Sequence, residues 1–143
     1  MTEYLLDTNV VSETARQRPA RRVLSWLSRR KRLAVSSVTW FELHRGIENL
    51  PKSRKRTVLE DWLDQWEKSG LEVVPFEKDA ATEAARLEAE ARAVGRSIDV
   101  RDLFVLATAA AFGLGVATRN ASHFDGFGVV VLDPFIPGED EPP

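Results

Sequence analysis

Three carboxylates, Asp7, Glu42 and Asp102, stand where this 143-residue chain leaves an apolar run or opens a helix. Brought together, such groups repel and raise one another's pKa unless a divalent cation neutralises them, so their convergence would imply a metal. An all-oxygen donor set in a chain without cysteine selects Mg²⁺ or Mn²⁺ over zinc. An ion of that kind can acidify water, orient it for in-line attack on a phosphodiester and offset charge on the phosphoryl oxygens. Each acid alone also has an ordinary explanation, because Asp and Glu complement the dipole of a first helical turn and Asp, Thr and Asn cap helices. For Asp7 alone the two explanations stand level and for Glu42 or Asp102 alone the ordinary one is the stronger; for acids gathered at one edge of a fold it is not. His44 and His123 lack the spacing of a zinc site or a triad and are assigned to surface or structural hydrogen bonding.

The elements that must position these acids alternate along the chain. Tyr4-Leu5-Leu6 reads as a strand buried on both faces, and open α/β sheets bind ligands just beyond the carboxyl ends of such strands, which places Asp7 in a crevice. Asn9 can cap a short helix to about Arg16, and Pro19 suits the opening of a second to about Arg30. Leu33-Ala34-Val35-Ser36 is a second strand candidate. Ser37 or Thr39 then caps a helix from Trp40 to about Asn49, with Glu42 in its first turns. Over residues 56–68 the apolar positions Val58, Leu59, Trp62, Leu63 and Trp66 recur at helical spacing. The four tryptophans, 26, 40, 62 and 66, are assigned to the core, a part-exposed subset being suited to a partner groove.

Leu71-Glu72-Val73-Val74 is a third strand candidate, and residues 78–94 form a helix closed by Gly95. A further helix begins near Val100 and is almost free of charge after Asp102, as a buried helix is. Asp99 and Asp102 could share its face, with Asp99 read first as an N-cap. Gly115-Val116-Ala117-Thr118 and Val129-Val130-Val131-Leu132 complete five strands, and Asn120 lies two residues past the fourth. Arg119, beside it, could hold a phosphate or pair with an acid at the same edge. The pattern predicts one doubly wound α/β domain without internal repeats.

Charge is distributed unevenly. Residues 1–56 carry 13 Lys or Arg against 5 Asp or Glu, whereas the remainder carries 7 against 17. The basic half suggests an anionic partner such as nucleic acid, although Arg29-Arg30-Lys31-Arg32 and Lys52-Ser53-Arg54-Lys55-Arg56 also read as solvated faces. No run of eighteen apolar residues and no leader-like amino terminus occurs, so a soluble, cytoplasmic protein away from the membrane is expected.

Four blocks taken in order carry a family resemblance: Leu5-Leu6-Asp7-Thr8-Asn9; the stretch from Ser36 through Thr39-Trp40-Phe41-Glu42-Leu43 to Gly46; Arg101-Asp102-Leu103-Phe104 to Ala109; and Ala117-Thr118-Arg119-Asn120. They resemble the successive signatures of PIN-domain ribonucleases, and most closely the VapC and FitB type of toxin-antitoxin nuclease. The resemblance implies a PIN-like α/β/α sandwich with a central, mainly parallel sheet of four to five strands, spanning residues 1–134 and followed by an acidic, Pro-rich tail over 135–143. It implies that Asp7, Glu42 and Asp102 bind Mg²⁺ or Mn²⁺ and that Thr8 supplies a hydroxyl beside the ion. Asn120 falls where many members have a fourth acid. A neutral amide binds a hard cation less well than a carboxylate, so one tightly held ion is expected.

The resemblance further implies an endoribonuclease, a homodimer, and a cognate antitoxin whose inhibitory segment presents an Arg or Lys to the acids. Thr118, Arg119 and Asp99 are supporting candidates. Two rivals stand beside this reading. One is a catalytically weak binding module of the same fold, prompted by Asn120. The other is an unrelated α/β phosphohydrolase using Asp7 as nucleophile, which usually wants a second acid where Asn9 stands.

Overall fold

Residues 2–138 are described in the computed structural model, so the acidic stretch of the tail from Glu139 lies outside the described residues. Five short strands, β1 (Tyr4–Leu6), β2 (Ala34–Ser36), β3 (Glu72–Val74), β4 (Gly115–Ala117) and β5 (Val131–Leu132), pair wholly in parallel in the order β3-β2-β1-β4-β5. Helices α1 (Thr8–Glu13), α2 (Arg21–Ser28), α3 (Ser37–Glu48), α4 (Arg54–Lys68), α5 (Lys78–Ala93) and α6 (Val100–Phe112) make the crossovers, and a 3-10 turn (Ala121–His123) follows β4.

Alternation along the strands divides the core into two layers. Leu5 and Val116 face a cluster with Leu87 of α5 and Leu103, Leu106 and Ala107 of α6. Tyr4, Leu6 and Val35 face the opposite one, with Val10, Val23, Trp26, Leu43 and Leu63. The expected α/β/α sandwich results, and α6 is buried along its middle as its composition predicts. Phe135 packs against the second cluster.

Several boundaries differ from the sequence expectation. Asp7, not Asn9, caps α1, its side chain accepting from the Thr8 amide. The third helix starts at Ser37, capped by Ser36 through the Thr39 amide, because the hydroxyl already at the strand end satisfies that donor before Ser37 or Thr39 can act. Ser53 likewise caps α4, which begins at Arg54 rather than Arg56. The 3-10 turn went unanticipated, since three residues show no periodicity. Asp99 is the N-cap of α6 as expected, accepting from the Arg101 amide, and Gly113 ends that helix at φ 67° in the left-handed region.

Sheet order is what places the site. The chain steps from β1 to β2 and β3 on one side, then returns to lay β4 on the other side of β1. The carboxyl ends of β1 and β4 thus flank the switch point, where open α/β sheets form their ligand crevice. The amide of Asp7 bonds the carbonyl of Ala117 at 2.9 Å, fixing the two ends against each other.

Candidate active site at the sheet switch point

Asp7 is 7% exposed, and both of its oxygens are engaged. Oδ1 accepts from the Thr8 amide at 2.8 Å; Oδ2 accepts from the Thr118 hydroxyl at 2.8 Å and from the Asn9 amide at 3.4 Å. Thr118 Oγ1 also accepts from the Asn120 backbone N–H at 3.0 Å, while the Asn9 side chain takes the Arg119 N–H at 3.0 Å. Asn9, Thr118 and two backbone amides therefore lace the end of β4 to the start of α1. The cap and site readings of Asp7 are not alternatives, because one oxygen closes a helix while the other faces the network.

Electrostatics tie the distant acids together. Burial pushes the Asp7 carboxyl above its usual range, opposed by the Thr118 and Thr8 hydrogen bonds and by His123. Glu42, half-buried on α3, is pushed up by burial first and by the Asp7 charge second, with Asp102 and Asp99 adding and Arg101 opposing. Asp102, in the first turn of α6, is raised by burial and then by Asp7, with His123 opposing. The repulsion anticipated from the sequence acts on Glu42 and Asp102, where loss of solvent is still the larger cause; for Asp7 burial is the cause that raises it.

The three acids share charge rather than a single point. Among the described residues no group of three or more acidic, His or Cys side chains is drawn closely enough to hold one ion. Thr8 Oγ1 is a buried hydroxyl with no partner among the described residues, an orphaned oxygen beside Asp7.

Of the other candidates, Asn120 joins the edge through its backbone, and Asp99 serves the helix end with Arg101 Nε 3.9 Å from its Oδ1. Arg119 lies with its guanidinium 4.6 Å over the Phe135 ring, and its charge helps hold Glu13 below the usual carboxylate range. For Glu13 the upward push of burial is outweighed by the Ala20 amide and by Arg16 together with Arg119. His44 stacks edge-on against Trp40, an ordinary role as expected. His123 is surface-exposed and hydrogen-bonded, as expected, but its partner is one of the three acids: its Nδ1 lies 3.2 Å from Asp102 Oδ2. No spacing could have flagged that pair, whose members sit on a helix and on a turn formed after it.

A cleft of about 230 Å³ lined by Arg96, Asp99, Asp102, Ser122 and His123 opens beside the acids. A larger hollow of about 880 Å³, lined among others by Glu3, Arg32, Gly113 and Val130, lies at the amino-terminal edge of the strands. There Arg32 is bound by Glu72 and Glu3 as a strut, so those two acids are already paired.

The fold and site define a three-layer α/β domain with wholly parallel strands and an acidic crevice at its switch point. The PIN domain family matches residues 4–127, and the chain belongs to it. It is 36% identical over 137 residues to the VapC ribonuclease Y4jK of Sinorhizobium fredii, covering 93% of this chain and 98% of that protein. It is 34% identical over 138 residues to the toxin FitB of Neisseria gonorrhoeae, covering 92% and 97%. Among solved structures, FitAcB from Neisseria gonorrhoeae superposes with a TM-score of 0.85 at 33% identity, covering 92% of this chain and 98% of the other. VapBC-5 of Mycobacterium tuberculosis, a member of the VapBC family of toxin-antitoxin systems, superposes with a TM-score of 0.72 at 26% identity, covering 92% and 98%.

Proposed function

We propose that this protein is a metal-dependent endoribonuclease that hydrolyses RNA phosphodiester bonds and is the toxin half of a type II toxin-antitoxin pair. The observation that carries the reading is the charge coupling of the three acids about the switch point: after burial, the Asp7 charge is what most raises both the Glu42 and the Asp102 carboxyls. Relatives named as a VapC ribonuclease and a FitB toxin, and structural neighbours from toxin-antitoxin systems, support the activity and the cognate antitoxin. A homodimer working in the cytoplasm, its nuclease domain assigned to residues 1–134 and closed against the core by Phe135, completes the proposal. No described helix is long and apolar enough to cross a membrane.

The residues fit Mg²⁺ or Mn²⁺ by donor type and charge: hard oxygens, excess negative charge that a cation would relieve, and the unpartnered Thr8 hydroxyl. When bound, the ion supplies charge neutralisation and a more acidic water. Asp7 and Asp102 would hold it, with Glu42 binding the ion or its water. Thr118 orients Asp7 through Oδ2. Thr8 and Asn120 position water or a phosphate oxygen, and Arg119 and Asp99 support the rim.

Incubating the purified protein with labelled RNA, with and without Mg²⁺, tests this directly. Cleavage is expected only with the ion, and it is expected to vanish in Asp7→Asn and Asp102→Asn while circular dichroism stays unchanged. The absence of a ready three-ligand cluster, together with Asn120, favours the second reading, a binding module of the same fold. RNA binding without cleavage at any Mg²⁺ or Mn²⁺ concentration would establish that one instead.

A further inference from the structure

His123 has no part in the roles assigned above, yet it touches one of the three acids. His123 Nδ1 lies 3.2 Å from Asp102 Oδ2, and because an ionised carboxylate only accepts, the pair is satisfied by the tautomer that carries its proton on Nδ1. Asp102 Oδ1 receives no hydrogen bond from the described residues. The imidazole is borne by the short 3-10 turn, which has no sheet pairing of its own. Arg96 secures that segment: Nη1 donates to the Asp125 carbonyl, Nη2 donates to the Ser122 carbonyl at 2.9 Å, and the guanidinium lies 4.4 Å over the Phe127 ring. Phe124, the next residue, is fully buried and anchors the turn from below.

We propose that His123 is a positioning residue for Asp102: it grips the carboxylate by Oδ2, leaving Oδ1 for the ion, and Arg96 fixes the turn that carries it. The proposal rests on the metal-dependent reading above. Groups that hydrogen-bond a metal-ligating side chain orient it, and removing one typically costs about tenfold to a hundredfold in metal affinity. The cleft between Arg96, Asp99 and Ser122 leaves His123 approachable from solvent, so substitution there does not open the core.

Isothermal titration of the full chain with MnCl₂ alone is the test, with circular dichroism to verify the fold of each variant. His123→Ala is expected to weaken Mn²⁺ binding by about tenfold to a hundredfold. His123→Asn, whose amide nitrogen falls near the place of Nδ1, recovers most of that loss; His123→Gln, whose nitrogen falls nearer Nε2, does not. Arg96→Met weakens binding in the same direction, and in the metal-free protein its ¹⁵N spectra show His123 exchanging between tautomers rather than held in the Nδ1-protonated form. Unchanged binding in His123→Ala, or equal losses in His123→Ala and His123→Asn, overturns the proposal. A parent protein that binds Mn²⁺ with this dependence but leaves RNA intact sinks the nuclease reading and leaves the positioning role standing. A parent that takes up no Mn²⁺ sinks both.

Discussion

Asp7 divides its labour between two oxygens, and the hydroxyl of Thr118 is what allows the division. Thr118 is fully buried, gives its proton to Asp7 and takes one from the Asn120 amide. Thr118→Val keeps the shape but strands the amide and removes the donor, which is expected to cost about 1–3 kcal/mol in urea denaturation. The proposed metal-dependent cleavage is expected to fall with it by about tenfold or more, whereas Thr118→Ser retains most of both. The raised carboxyls set a second expectation. Between their unfolded and folded pKa values the folded chain holds more protons, so stability falls as pH rises through that window. Glu13 and Glu72 are lowered instead, and their contribution is lost only below the ordinary carboxylate range. Without metal, Asp102→Asn is therefore expected to melt above the parent at neutral pH, with the gap closing toward about pH 4, where unfolded carboxyls protonate. A gap that persists on acidification would contradict the charge argument.

At the level of elements, three of the apolar runs announced themselves because they stop at a small polar residue: Leu6 before Asp7, Val35 before Ser36, Ala117 before Thr118. Strand identity, helix α6 and the edge on which Asp7, Glu42 and Asp102 lie were legible from that pattern. Helix starts were less so, since Ser36, Ser37 and Thr39 are all competent caps and only the path of the strand decides among them. The His123 contact and the clamp by Arg96 were illegible, because they depend on a turn with neither period nor cap signature. Pairing register was equally silent. Tyr4 faces Gly115 across β1 and β4, and a Cβ on that glycine would lie 2.7 Å from the tyrosine ring and 2.8 Å from the Val130 carbonyl. Gly115→Ala is expected to destabilise the sheet by about 1–3 kcal/mol, read from the urea midpoint, with Tyr4→Leu restoring part of the loss.

Over the whole molecule, the basic surplus of the first 56 residues is partly spent inside the protein. Arg32 is tied to Glu3 and Glu72, Arg56 to Glu48 and Glu60, and Arg30 lies over Trp26. RNA binding by the uncleaving Asp7→Asn variant should therefore show a salt slope for far fewer contacts than the 13 Lys and Arg present, at about 0.7 per phosphate contact on a single strand. A slope matching all of them would mean that the pairs open on binding.

The central strand is also the first of the five described strands in chain order. Asp7 and the hydroxyl that orients it are 111 positions apart, so a chain growing on the ribosome carries all three acids before it owns Thr118. On the proposed nuclease reading, such a chain is inactive through most of its own translation: the blade exists early, but the hinge that sets it arrives late. Stalled chains of increasing length should begin to cut RNA only once β4 and Thr118 have cleared the exit tunnel.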